Sequence, residues 1–130
     1  VVVVDTSVLI EVDAGNAAAA ERVNELLEAD AVSVSAVTVY EMLAGPTTSR
    51  PALRFWREFF SHVEVLPVLG VFAELGAAGA RAANGMAAAD GLIAATAAAY
   101  GRRVLTADAG FRRYPGIDVE WIAPRRRALQ

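Results

Sequence analysis

The sequence predicts an α/β domain: three α/β/α layers built on a central, mostly parallel sheet of five strands. Two observations predict it. Short β-branched runs, the clearest at residues 1–4, lack polar alternation, as strands buried on both faces of a parallel sheet do. They alternate with longer segments of helical period, the pattern that sets helices between successive parallel strands. The 130 residues fit a single domain over 1–130 and leave little room for a second.

The elements follow in order. Residues 1–4 are the first strand. Asp5, Thr6 and Ser7 are helix-starting residues that lead into a short apolar helix over 8–12. Gly15 and Asn16 break the chain. Over 17–29 a helix turns Val23, Leu26 and Leu27 inward and Glu21, Arg22, Glu25 and Glu28 outward. A second strand spans 31–35, where Ser35 caps a helix that runs through Leu43 and stops at Gly45-Pro46. The helix expected over 47–61 packs through Leu53, Trp56, Phe59 and Phe60, and 63–66 is the third strand. Helices over 71–83 and 87–100 are separated by Asn84-Gly85, and the second closes at Gly101. Strands over 103–106 and 119–122 complete the sheet.

Over half of the residues are hydrophobic, which supplies a core. Cysteine is absent, so disulfides and thiolate metal sites are excluded and a reducing, cytoplasmic location is expected. A hard cation on oxygen ligands is not excluded. A net charge of −3 does not point to an avid nucleic-acid binder. Clustered acids can mask an arginine surface, however, and a bound divalent ion reverses the local sign. All twelve basic residues are Arg. The valine opening is too short for a signal sequence, and Arg81, Asn84 and Asp90 interrupt the alanine-rich stretches, so no membrane span is expected. Val1 in place of Met is expected where numbering begins inside a reading frame. The Arg125-Arg126-Arg127 tail reads as a solvated end, with RNA contact as its alternative.

Four acids stand in apolar company. Asp5 ends the valine run, and Glu41 is the only charge between Ala31 and Thr48. Asp90 is the only charge between Ala82 and Tyr100, and Asp108 follows the strand ending in Thr106. A carboxylate in such surroundings costs several kcal/mol unless it pairs, protonates or meets a cation. No basic partner stands at helical spacing from Asp5, Glu41 or Asp90. Asp5 and Asp108 leave the carboxyl ends of parallel strands, the edge where α/β sheets bind ligands. Each acid alone has an ordinary reading: Asp5 as an N-cap, Asp90 as first-turn dipole compensation, Glu41 as a partly exposed helical acid, Asp108 as a turn residue. Thr6 and Ser7 either cap or orient carboxylates. One divalent cation satisfies all four acids together.

Other chemistry is poorly served. His62 is the only histidine and reads as a surface residue. A phosphate loop of the lysine type is impossible without lysine. Ser7 stands where an aspartyl-phosphate phosphatase would place its second Asp. Trp56, Phe59 and Phe60 have core spacing, without a signal for base stacking.

The segments VVVVDTSVLI, VTVYEMLAG and AADGLIAATAAAYGRRVLTADAGF resemble the PIN-domain nucleases, in particular the short bacterial toxins called VapC. The resemblance covers nearly the whole chain in order, and AADGLIAATA with LTAD is its most specific part. It implies a Mg²⁺- or Mn²⁺-dependent ribonuclease, an endonuclease cutting RNA, with a small antitoxin partner and a homodimeric state. It assigns the acids of the family to Asp5, Glu41, Asp90 and Asp108 as catalytic and metal-holding residues. Relatives often carry a further Asp just before the residue that is Phe111 here, where this chain has Gly110; a turn of positive φ is another reason for that glycine. Two alternatives stand beside the ribonuclease: a PIN-like domain that binds RNA or a partner without cutting, and a metal-dependent phosphatase of small substrates.

Overall fold

The computed structural model describes residues 1–45 and 48–125. Its strands are β1 (Val2–Val4), β2 (Val32–Ser35), β3 (Glu64–Leu66), β4 (Arg103–Thr106) and β5 (Val119–Trp121). Its helices are α1 (Thr6–Asp13), α2 (Ala17–Glu28), α3 (Ala36–Leu43), α4 (Arg50–Ser61), α5 (Gly70–Ala82) and α6 (Ala88–Ala99), with a 3₁₀ turn at Ala109–Arg113. The strands form one sheet in the order β3-β2-β1-β4-β5, and every pairing in it is parallel. The α/β reading therefore holds, and the sheet goes from mostly to wholly parallel.

Local chemistry explains where the elements begin. The α1 helix starts at Thr6, before the expected residue 8, because Asp5 in extended conformation already accepts the N–H of Ser7. Asn16 does more than break the chain: its Oδ1 accepts the N–H of Ala19 at 3.2 Å and caps α2. The helix expected over 47–61 begins at Arg50, capped by Ser49. Residue 47, Pro46 of the expected stop signal, and Arg126 and Arg127 of the tail lie outside the described residues. The 3₁₀ turn was not foreseen; Asp108 caps it through Gly110.

Alternation along β1 divides the core. Val4 faces a cluster with Val34 and Leu105 of the neighbouring strands, Val8 and Leu9 of α1, and Trp56 and Phe60 of α4. Val3 faces the opposite cluster, with Val104 of β4, Ile93, Ala94 and Ala97 of α6, and Phe111 of the 3₁₀ turn. Trp56 and Phe60 are buried and Phe59 half-buried, as their core spacing predicts. On the second face α5 and α6 touch through glycines. A Cβ on Gly76 would fall 2.7 Å from the carbonyl oxygen of Gly91, so this close approach requires a residue without one. The contact fixes the first turn of α6, which carries Asp90 next to Gly91.

From β1 the chain moves outward through β2 to β3, then returns by α5 and α6 to β4 on the other side of β1. Connections thus leave β1 and β4 in opposite directions. A crevice opens at the carboxyl ends of two such strands, and ligands bind there in open α/β sheets. Among the described residues no helix is long and apolar enough to cross a membrane.

Candidate active site

Asp5 and Thr106 sit in that crevice. Val4 pairs with Leu105, so the next residue on each strand emerges at the same level, and the Asp5 N–H donates to the Leu105 carbonyl at 2.8 Å. Asp5 is only 2% exposed. Its Oδ2 accepts the Ser7 hydroxyl at 2.6 Å and the Thr106 hydroxyl at 2.9 Å. These hydroxyls are themselves held: Ser7 Oγ accepts the Ala107 N–H at 2.9 Å, and Thr106 Oγ1 accepts the Asp108 N–H at 3.0 Å. Asp5 Oδ1 is buried and has no hydrogen-bond partner among the described residues.

The two oxygens of Asp5 therefore do different work. Oδ2 does the capping that the plain reading assigns to it. Oδ1 is a buried acceptor left over, which costs about 1–3 kcal/mol, more where the group is charged. Burial raises the carboxyl above its ordinary range, against the lowering effect of the Ser7 and Thr106 bonds.

Glu11 shows how this chain settles a buried acid that needs no ligand. Its Oε1 accepts Asn16 Nδ2 at 3.0 Å and also the backbone N–H of Arg125. Those bonds hold its carboxyl below the usual range. Sequence spacing did not single out Glu11, and its partner Arg125 lies more than a hundred positions away.

Asp90 occupies the first turn of α6, half-buried, and accepts no hydrogen bond from any described residue. Its carboxyl is pushed up to about 6, first by burial and then by the negative charges of Asp5, Asp108 and Glu41. That repulsion reports that the four acids named from the sequence share one neighbourhood. They do not touch. Among the described residues no three acidic or histidine side chains are gathered as a set that could hold one ion directly. A hydrated Mg²⁺ suits such spacing, because it keeps several of its waters. The donor set is all oxygen, and one buried oxygen lacks a partner, so the residues fit a hard divalent cation.

Glu41 and Asp108 are exposed. Glu41 Oε1 accepts the Thr6 hydroxyl at 2.7 Å, and Thr6 Oγ1 also lies 3.0 Å from Thr38 Oγ1. Thr6 thus ties α3 to α1 and orients Glu41, the alternative to capping. Asp108 Oδ1 accepts the Gly110 N–H at 2.8 Å, in agreement with its reading as a turn residue. Gly110 is not among the glycines of positive φ, so that reason for a glycine is withdrawn. A Cβ there would stand 3.1 Å from Asp108 Oδ1.

His62 is exposed and pairs with Glu58 at 2.9 Å on α4, outside the crevice. Thr106 belongs to the site and was not named as a site residue. Its available signal was a hydroxyl closing an otherwise apolar strand, two positions before Asp108.

The PIN domain family profile matches residues 2–117. No curated protein matches the sequence. Among solved structures, the DNA-bound VapBC of Salmonella typhimurium is 27% identical, with a TM-score of 0.76 over 91% of this chain and 95% of that one. FitAcB of Neisseria gonorrhoeae is 27% identical, with a TM-score of 0.75 over 92% and 96%. VapBC-5 of Mycobacterium tuberculosis, a member of the VapBC family of toxin-antitoxin systems, is 24% identical. It shares the fold, with a TM-score of 0.61 over 93% and 96%.

Proposed function

The chain belongs to the PIN-domain family, and on that premise we propose that it is a divalent-cation-dependent endoribonuclease, the toxin of a toxin–antitoxin pair. The observation that carries this reading is the unpartnered, buried Oδ1 of Asp5 beside the raised carboxyl of Asp90. Asp5, Glu41 and Asp90 would hold Mg²⁺ or Mn²⁺, directly or through its waters, with Asp108 nearer the leaving-group side. When bound, such a cation neutralises charge on the scissile phosphate and lowers the pKa of a water. Ser7 and Thr106 hold Asp5 Oδ2, which leaves Oδ1 as the acceptor free for a cation, and Thr6 sets Glu41.

The test is a labelled single-stranded RNA incubated with the purified chain. Endonucleolytic fragments are expected with Mg²⁺ or Mn²⁺ and none with chelator. DNA of the same sequence and a simple phosphomonoester should stay intact. No RNA cleavage with either cation would overturn the proposal. The alternative, a domain that binds without cutting, is favoured by the absence of three gathered acids among the described residues; the same assay separates it.

Asp108→Asn should slow cleavage by more than about tenfold, roughly 1.4 kcal/mol of transition-state stabilisation. The thermal shift on adding Mg²⁺ should stay, because Asp5, Glu41 and Asp90 remain. Full activity in this variant would reduce Asp108 to a turn residue.

The partner side of the proposal is a small antitoxin, as in VapBC. An apolar groove of about 440 Å³ between α5 and α6, lined by Ala77, Ala80, Met86, Ala88, Gly91 and Leu92, suits a partner's apolar segment. An arginine from the same segment would meet the acids. For the proposed homodimer, the exposed Val65, Val68, Leu69, Val71 and Leu75 along β3 and α5 offer a surface.

A further inference from the structure

Beyond the acids, one aromatic side chain at the sheet's carboxyl edge has no structural explanation in the core. Trp121 ends β5 and is 41% exposed, whereas Trp56 is buried at 2%. Its register partner on β4 is Thr106, the residue whose hydroxyl bonds Asp5. Neighbouring strands run about 4.8 Å apart, and paired residues face the same side of the sheet. Val119, two residues before Trp121, packs with the cluster of Val104 and Ile93, which is the α6 side. The indole therefore stands one strand from the Asp5 crevice, on the side that carries Asp90.

Arg112 covers this indole, its guanidinium carbon 5.2 Å from the ring centroid. Arg22, Arg102, Arg103 and Arg125 each meet a carboxylate. Arg112 meets none among the described residues and makes no hydrogen bond there. Its backbone is held on both sides, since Phe111 is fully buried and Arg113 donates to the Ala83 carbonyl at 3.2 Å. A fixed turn thus holds a cation without a carboxylate partner among the described residues over a partly exposed aromatic ring, one strand from Asp5.

We propose that Arg112 and Trp121 form a nucleotide subsite that stacks one base of a single-stranded RNA and contacts its adjoining phosphate. The identity of the polymer rests on the ribonuclease reading; the stacking site does not. An acidic crevice repels a polyanion, so the strand must be held by groups outside the crevice. Base–aromatic stacking carries no net charge, and an arginine beside the ring adds attraction for phosphate.

The experiment measures binding of a fluorescent single-stranded RNA of about eight nucleotides, within the usual span of such sites. Chelator is present throughout, so cleavage is irrelevant. Trp121→Leu should weaken Kd by roughly tenfold, the order expected for one stacked base. Arg112→Ala should weaken it to a smaller degree, and Trp121→Phe, which keeps an aromatic face, should restore much of the loss. RNA should quench the fluorescence of the wild-type protein more than that of Trp121→Phe. With Mg²⁺ added, KM should rise in Trp121→Leu while kcat stays. Should Trp121→Leu melt early, Arg112→Ala and the quenching still decide, because Arg112 is exposed. Equal binding of the matching DNA supports the same subsite, since stacking does not read the 2′-hydroxyl. Unchanged Kd in Trp121→Leu and Arg112→Ala, without quenching, overturns the subsite even if RNA is cut. Quenching and weakened binding without cleavage keep the subsite and discard the ribonuclease reading.

Discussion

Asp90→Asn is expected to lower the cleavage rate by at least about a hundredfold, roughly 2.7 kcal/mol of transition-state stabilisation. The same variant should melt no earlier than wild type without metal. Both outcomes follow from one environment. Asp90 accepts no hydrogen bond from a described residue, and the charges of Asp5, Asp108 and Glu41 oppose its ionisation. Its carboxylate therefore contributes nothing to a cation-free native state, and an isosteric amide relieves repulsion. Catalysis is different, because a cation shared by the acids loses one of its ligands. Single-turnover cleavage and a melt of the same preparation check the two halves together. Near-wild-type cleavage at ordinary Mg²⁺ would remove Asp90 from the site. A large loss of stability would make it a structural residue.

Much of this arrangement was legible because burial and charge conflict visibly along the chain. A four-valine run ending in Asp, or a lone Asp in an Ala, Gly, Leu and Ile helix, shows the conflict without coordinates. Strand-to-helix alternation likewise fixes which edge Asp5 and Asp108 occupy. What stayed hidden depends on contacts between distant segments. Glu11 has the same apolar neighbours as Asp5 but meets Asn16 and Arg125, and no local pattern marks that difference. The division of Asp5 into a capping oxygen and a free one needs Thr106, which is 101 positions away. Trp121 looked like an ordinary strand residue until register set it beside Thr106 and the unforeseen 3₁₀ turn brought Arg112 over it. Of the helix-start residues only Asp5 caps α1; the Thr6 and Ser7 hydroxyls take the other reading and orient the carboxylates of Glu41 and Asp5, and only tertiary structure shows which reading holds.

The metal-free protein should lose stability as pH rises from about 4 to above 6, and Mg²⁺ should restore it. The sign follows from the raised carboxyls. Unfolded Asp titrates near 3.9, whereas Asp90 in the native chain is pushed up to about 6 and Asp5 is raised as well. Between those values the native state holds more protons than the unfolded chain, so stability falls with increasing pH. The contribution is complete below the unfolded value and is lost as pH climbs through the folded one. Glu11 and Glu120 are shifted the other way, and their contribution is lost only as pH falls through their lowered folded values. They cannot produce a decline between pH 4 and 7. Above pH 7 a cation that binds only the native state adds about 2.7 kcal/mol at a hundred times its Kd, roughly 10 °C in Tm for a chain of this length. The shift should shrink below pH 6, where protons compete for the same oxygens. Thermal melts from pH 4.5 to 8, with chelator and with Mg²⁺, test each part. Asp90→Asn should flatten the metal-free slope and reduce the Mg²⁺ shift together. A Tm at pH 7.5 that ignores Mg²⁺, on a metal-free profile already flat from pH 4.5, would mean that the four acids do not act as a cation site.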